Sequence, residues 1–168
     1  STPIKSSAAS DVYKRQTRYR VNTEEWMMYD RKKPSYWAFE KGVYMEQFDS
    51  IFNVEASIKA DTAYYYDKER LWKLIGNVDI QNRKGERFNT ELLYWNEATQ
   101  KVYSDKFIRI QQPDRIITGH GFDSNQQMTI YTIRNIEGIF YVDEEASSGP
   151  PQPETKALPD SVNKDTAK

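Results

Sequence analysis

A chain of 168 residues carrying 24 Lys+Arg, 25 Asp+Glu and a formal net charge of -1 has room for one domain with a real core and little more. Its charge balance gives no footing for nucleic acid, which selects a basic stripe or excess. The lack of cysteine rules out disulfides, thiolate metal sites and cysteine nucleophiles, and no stretch is long and apolar enough to read as a spanning helix or signal peptide.

In chain order, residues 1–17 are polar and without pattern, and read as a tether outside the folded unit of 18–145. Aromatics make up 14% of the chain, with 12 Tyr and 4 Trp, a composition suited to pleated surfaces. "EEWMMYDRKKPSYWAFEKGVYMEQ", from Glu24, is a degenerate hairpin. In "SIFNVEASIKAD", Phe52, Val54, Ala56, Ile58 and Ala60 alternate with Asn53, Glu55, Ser57 and Lys59, the period-two signature of a half-buried strand.

Two clear copies of one unit follow: "DTAYYYDKERLWKLIGNVDIQ" from Asp61 and "NTELLYWNEATQKVYSDKFIRIQQ" from Asn89. Each has an aromatic pair (Tyr65-Tyr66, Tyr94-Trp95), a polar turn (Asp67 to Arg70, Asn96 to Thr99) and an alternating return strand. A fainter copy starts at Gly119, so the spacing is about 28–30 residues, the length of one supersecondary unit. Leu74, Gly76, Val78 and Ile80 share a face opposite Asn77, Asp79 and Gln81; Phe88, Thr90, Leu92 and Tyr94 share another, as do Val102, Ile108 and Ile110.

No segment has a helical period. The expected fold is all-β: successive antiparallel hairpins with one apolar face, folded over into a twisted jellyroll or curved sandwich. Gly76, Gly119 and Gly121 suit bulges where such a sheet bends. From Ala146 to Lys168 the chain is rich in Pro, Ser and charge, contains no aromatic, and reads as a disordered tail.

The residues offer little chemistry. One histidine, His120, between two glycines, supports neither a triad nor a metal cluster. Carboxylates such as Glu24, Glu25, Asp49 and Glu55 fall at turns or on polar strand faces, where solvated charge sits. "NRKGER" lacks the spacing of a phosphate loop and reads as a hairpin turn. Tyr64, Tyr65 and Tyr66 alternate faces, which favours cross-strand packing over a stacking platform. A non-enzymatic protein with no cofactor is expected. Its apolar face either fills its own core or splays into a groove that admits an acyl chain.

The run from Leu74 to Asn125 resembles a known family, the periplasmic lipopolysaccharide-transport proteins of the OstA-like type, most closely LptC. The resemblance rests on Gly76-Asn77-Val78, the strand from Thr90 to Tyr94, Val102 to Ile108, and the stretch from Gly119 to Asn125, and it extends over roughly residues 18–142. It implies a boat-like β-jellyroll in the periplasm, held at the inner membrane by an N-terminal helix absent from this chain. As partners it implies lipopolysaccharide, received from an inner-membrane ABC exporter complex (LptBFG-like), and a periplasmic bridge protein (LptA-like) joined by edge-strand stacking.

Under that resemblance, Ile58, Tyr64, Leu74, Val78, Ile80, Leu92, Tyr94, Val102, Ile108, Ile110 and Ile130 are the expected acyl-chain contacts on the inner face. Lys73, Arg83, Lys84 and Arg109 are candidates for lipid A phosphates at the rim. Three other readings stay open: a soluble LptA-like bridge protein, a structural β-repeat with a filled core and no ligand, and a carbohydrate-active enzyme.

Overall fold

Alternation along the chain becomes twelve antiparallel strands of one sheet in a computed structural model that describes residues 10–14 and 17–142, with side chains from Tyr19 onward. They are β1 Ser10–Lys14, β2 Thr17–Asn22, β3 Met27–Tyr29, β4 Tyr36–Phe39, β5 Val43–Phe48 and β6 Val54–Ala60. There follow β7 Thr62–Tyr66, β8 Leu71–Asn82, β9 Arg87–Asn96, β10 Lys101–Gln111, β11 Arg115–Asn125 and β12 Tyr131–Tyr141. No helix occurs among the described residues. The expected tether contributes β1, which pairs with β2 from Ser10↔Val21 to Lys14↔Thr17. Thr17 opens β2, while residues 1–9, 15 and 16 and the tail expected from Ala146 lie outside the described residues.

Strand β8 organises the sheet because two different strands share its edge. Leu71 to Ile75 pair with β7, and Asp79 to Asn82 pair with β6. One wing therefore runs β8-β7-β4-β3 and the other β8-β6-β5-β2-β1, while β9 to β12 continue along the opposite edge.

The chain passes from one wing to the other at Asp61, whose amide donates to the Gly76 carbonyl at 2.9 Å. Gly76 has φ +83°, and a Cβ there would lie 2.9 Å from Asp61 Oδ2, so glycine is required on both counts. Asn77, at φ 44°, donates its side-chain amide to Asp61 at 2.8 Å.

Gly76 and Asn77 open a transverse seam. The register slips between Ile75 and Val78 where β8 meets β9, between Tyr103 and Ile108 where β10 meets β9, between Ser104 and Phe107 where β10 meets β11, and between Thr118 and Gly119 where β11 meets β12. Bulges bend a strand and increase its twist, so a line of them across five strands folds the sheet in two.

Ring contacts report how sharply it folds. Phe88 shares its row with Ile110 and, through it, Ile117 on β11. Phe122 lies five residues further along β11, roughly 16 Å away at the rise of an extended strand. Yet the Phe88 and Phe122 centroids are 5.7 Å apart. Tyr131, paired with Ser124 still further along, touches Phe88 at 5.1 Å. Tyr19 of β2 meets Trp95 of β9 at 4.8 Å.

The result is a jellyroll of two facing layers, continuous at the seam, around one core. Leu74, Val78, Ile80, Phe88, Leu93, Ile108, Ile110 and Phe122 have no accessible surface in it. Each such side chain stabilises the fold by about 1.5–3 kcal/mol.

Candidate functional site

The inner face is the candidate site, and the structure sorts the expected residues into two groups. Ile58, Leu74, Val78, Ile80, Val102, Ile108 and Ile110 point inward and belong to the one core cluster. Tyr64, Leu92, Tyr94 and Ile130 do not.

For Leu92 and Tyr94 the reason is the seam. Simple alternation carries inward facing from Phe88 and Thr90 to both of them, but the bulge opposite breaks the parity. Leu93, paired with Leu74, and Trp95, paired with Trp72, turn inward instead. Leu92 lies against Ile75 on the outer face, and Tyr94 stacks there on Tyr103 at 5.3 Å. A one-residue slip reverses every side chain beyond it.

In the tyrosine triplet it is Tyr65 that enters, packing on Trp37 at 5.3 Å and Trp72 at 4.6 Å. Tyr64 lies on the other face beside Tyr36, at 5.9 Å. Ile130 ends the β11–β12 turn and is 77% exposed, while Ile133 packs on the core. Phe52 and Val54, in and just after the turn of the β5–β6 hairpin, are exposed as well.

Trp72, Leu93, Trp95 and Phe122 are among the inner-face residues that alternation missed. Trp72 donates its indole N–H to Glu97 at 2.9 Å, and Tyr65 reaches the same carboxylate at 3.5 Å. Burial, with Glu97 close by, pushes the Tyr65 hydroxyl up to about 12.

Where the seam interrupts the ladder, side-chain hydroxyls take over as donors: Ser104 to the Leu92 carbonyl at 2.5 Å and Thr90 to the Phe107 carbonyl at 2.8 Å. Buried carbonyls left without partners would be costly.

At the far ends of the two layers lies a polar cluster. Glu86 Oε2 accepts from the Tyr131 hydroxyl at 2.5 Å and from the Gln112 amide at 3.0 Å, and Oε1 accepts from Asn82 at 2.9 Å. Burial alone would raise the Glu86 carboxyl, but those hydrogen bonds outweigh it and hold the group below its ordinary value.

The outer face has a groove of about 1150 Å³ lined by Ile75, Leu92, Phe107, His120 and charged residues including Lys59, Lys73, Asp79 and Arg109. Lys73 and Arg109, expected at the rim of the inner face, belong to this outer groove. Arg83 and Lys84 occupy the β8–β9 turn, Arg83 3.9 Å from Glu55. His120 pairs with Glu137 and packs edge-on against Phe107 at 5.5 Å.

Three of the carboxylates at turns and polar strand faces hold neighbouring groups, Glu55 among them by accepting from the Gln47 amide at 3.3 Å. Asp49 takes the amides of Asn53 and Ile51 at 2.9 Å each, and Glu25 binds Lys41 at 2.8 Å. Among the described residues, no three His, Asp or Glu gather as a metal site.

A folded-over antiparallel sheet around an apolar interior defines a β-jellyroll framework. Residues 19–141 match the family described as lipopolysaccharide-assembly, LptC-related, and the chain belongs to that family. Its role therefore lies in lipopolysaccharide transport and assembly. No curated protein matches the chain.

Proposed function

We propose that this protein binds the acyl chains of lipopolysaccharide between its two layers, receiving the lipid from an inner-membrane ABC exporter and handing it to a periplasmic bridge protein. The observation that carries this reading is the unbroken apolar lining from Ile58 through Leu74, Ile80, Phe88 and Ile110 to Phe122, in a chain of the LptC-related family. Exposing an acyl chain to water costs about 0.8 kcal/mol per CH₂, so apolar cover is the whole requirement and no catalytic group is needed. Directional energy comes from the exporter.

The handover surface on this reading is β12. Among the described residues it pairs with β11 alone and exposes Ile136, Ile139 and Phe140, the arrangement used for strand addition. The protein would work in the periplasm beside the inner membrane; no helix among the described residues is long and apolar enough to cross one.

The filled interior favours a second reading, a structural β-repeat without ligand. Retention of lipopolysaccharide by the purified chain, with and without its acyl chains, separates the two. Intact lipopolysaccharide should co-elute with the protein, and the de-acylated oligosaccharide should not. Equal behaviour of both would sink the acyl-carrier reading.

A further inference from the structure

The core is packed shut, so an acyl chain can enter only where the two layers come apart. They are continuous at the seam of bulges, which leaves the opposite end, the mouth. We propose that Glu86, Asn82 and Gln112 on one layer, with Tyr131 and the Met128 carbonyl on the other, form a polar latch across that mouth whose release admits the lipid. The identity of the ligand rests on the carrier reading above; the latch rests on geometry.

Asn82 and Glu86 flank the β8–β9 turn, and Gln112 begins the β10–β11 turn, all at the tip of the layer that holds Phe88 and Ile110. Met128 and Tyr131 belong to the β11–β12 turn and the start of β12, at the tip of the layer that holds Phe122. Asn82 Nδ2 donates to the Met128 carbonyl at 2.9 Å, the Tyr131 hydroxyl donates to Glu86 at 2.5 Å, and Gln112 reaches Tyr131 Oη at 2.5 Å. Arg115 fixes the Gln112 amide by donating to its oxygen at 2.6 Å. Beneath these bonds the Tyr131 ring covers Phe88 edge-on and Phe122 at 5.9 Å.

Polar closure differs in kind from the rest of the interior. Water can replace each of these hydrogen bonds when the tips part, whereas the rings behind them lose burial that only another apolar group restores. A lipid chain is such a group. Gln126, in the same turn, buries a side-chain oxygen that has no partner. That cost disappears once the turn swings into water, which favours opening at the mouth. The seam supplies the hinge.

The native chain has no cysteine, so single introduced thiols report opening without background. Ile110→Cys lies two residues from Gln112, close to the mouth; Ala63→Cys lies on β7 opposite Leu74, beside the hinge. In the full chain, Tyr131→Phe keeps the ring and removes the hydroxyl, and Glu86→Gln keeps the shape and removes the charge.

Each change should raise the maleimide labelling rate of Ile110→Cys by about tenfold or more, as expected for losing a hydrogen bond to a charged acceptor, and leave Ala63→Cys within about twofold. Equal acceleration at both positions would mean general destabilisation, and no acceleration at Ile110→Cys would mean no latch; either result overturns the proposal. Faster capture of lipopolysaccharide by the Tyr131→Phe chain would support latch and carrier together. Selective labelling with unchanged capture would keep the latch and overturn the carrier reading.

Discussion

Leu93 lies directly opposite Leu74 on the inner face, both with no accessible surface, while its neighbour Leu92 lies opposite Ile75 on the outer face. Two adjacent leucines of equal size should therefore behave differently. We expect Leu93→Ala to cost about 2–5 kcal/mol in urea unfolding, as for a buried large-to-small change, and Leu92→Ala to cost much less. Equal costs would place the parity break elsewhere.

The bend at Gly76 carries two separate penalties. Any side chain there meets Asp61, and the left-handed φ disfavours it in any case. Gly76→Ala should destabilise by roughly 1–2 kcal/mol from the backbone alone, plus the contact. Adding Asp61→Ala should recover only the contact part, so a double-mutant cycle in thermal unfolding will show partial coupling rather than full rescue.

Stability should fall at both ends of the pH scale through the mouth of the fold. The folded Glu86 carboxyl lies below its ordinary value, so its contribution is present above the unfolded value near 4.5 and is lost as pH drops through the folded one. Tyr131 is pushed up to about 12 by burial and then by Glu86. Its contribution is complete below the unfolded value of 10.0 and declines as pH rises toward 12. Lys84 and Arg115 are the cations nearby, lowering Glu86 and Tyr131 respectively. Urea midpoints against pH should lose part of the acid limb in Glu86→Gln and part of the alkaline limb in Tyr131→Phe.

Edge strand β12 gives a prediction free of folding effects. Ile136 is 58% exposed, so Ile136→Lys should change stability by no more than about 0.5 kcal/mol. A lysine on an open edge opposes strand addition. Under the proposed handover, binding to a periplasmic bridge protein, measured by native mass spectrometry, should weaken severely with an unchanged melting temperature. Unimpaired binding would move the docking surface off β12.

Much of this fold is legible in the residues. Hairpin spacing, turn composition and the alternation around Ile58, Leu74 and Ile110 lead to an all-β sheet with the correct inner face, because period two is a local property of the backbone. The misplaced residues have two sources. Leu92 and Tyr94 fail because a bulge is non-local: it depends on how β8 and β9 pair across Gly76-Asn77, and alternation read along one strand cannot register the slip. Tyr64 and Ile130 fail because the triplet does not reveal which tyrosine meets Trp72, and a turn residue obeys no strand parity. The mouth was illegible for the same reason, since Glu86 and Tyr131 are 45 residues apart and look like ordinary turn and strand residues until the sheet folds.

The most direct test of lipid binding between the layers is site-specific photocrosslinking to lipopolysaccharide, comparing Leu93 with Leu92 and Ile80 with Asp79. Each pair shifts the probe by one residue and by one whole face of the sheet. Adducts at Leu93 and Ile80, with none at Leu92 and Asp79, are the expected result. Adducts confined to the outer positions, or absent everywhere in a folded protein, would contradict an acyl-binding interior.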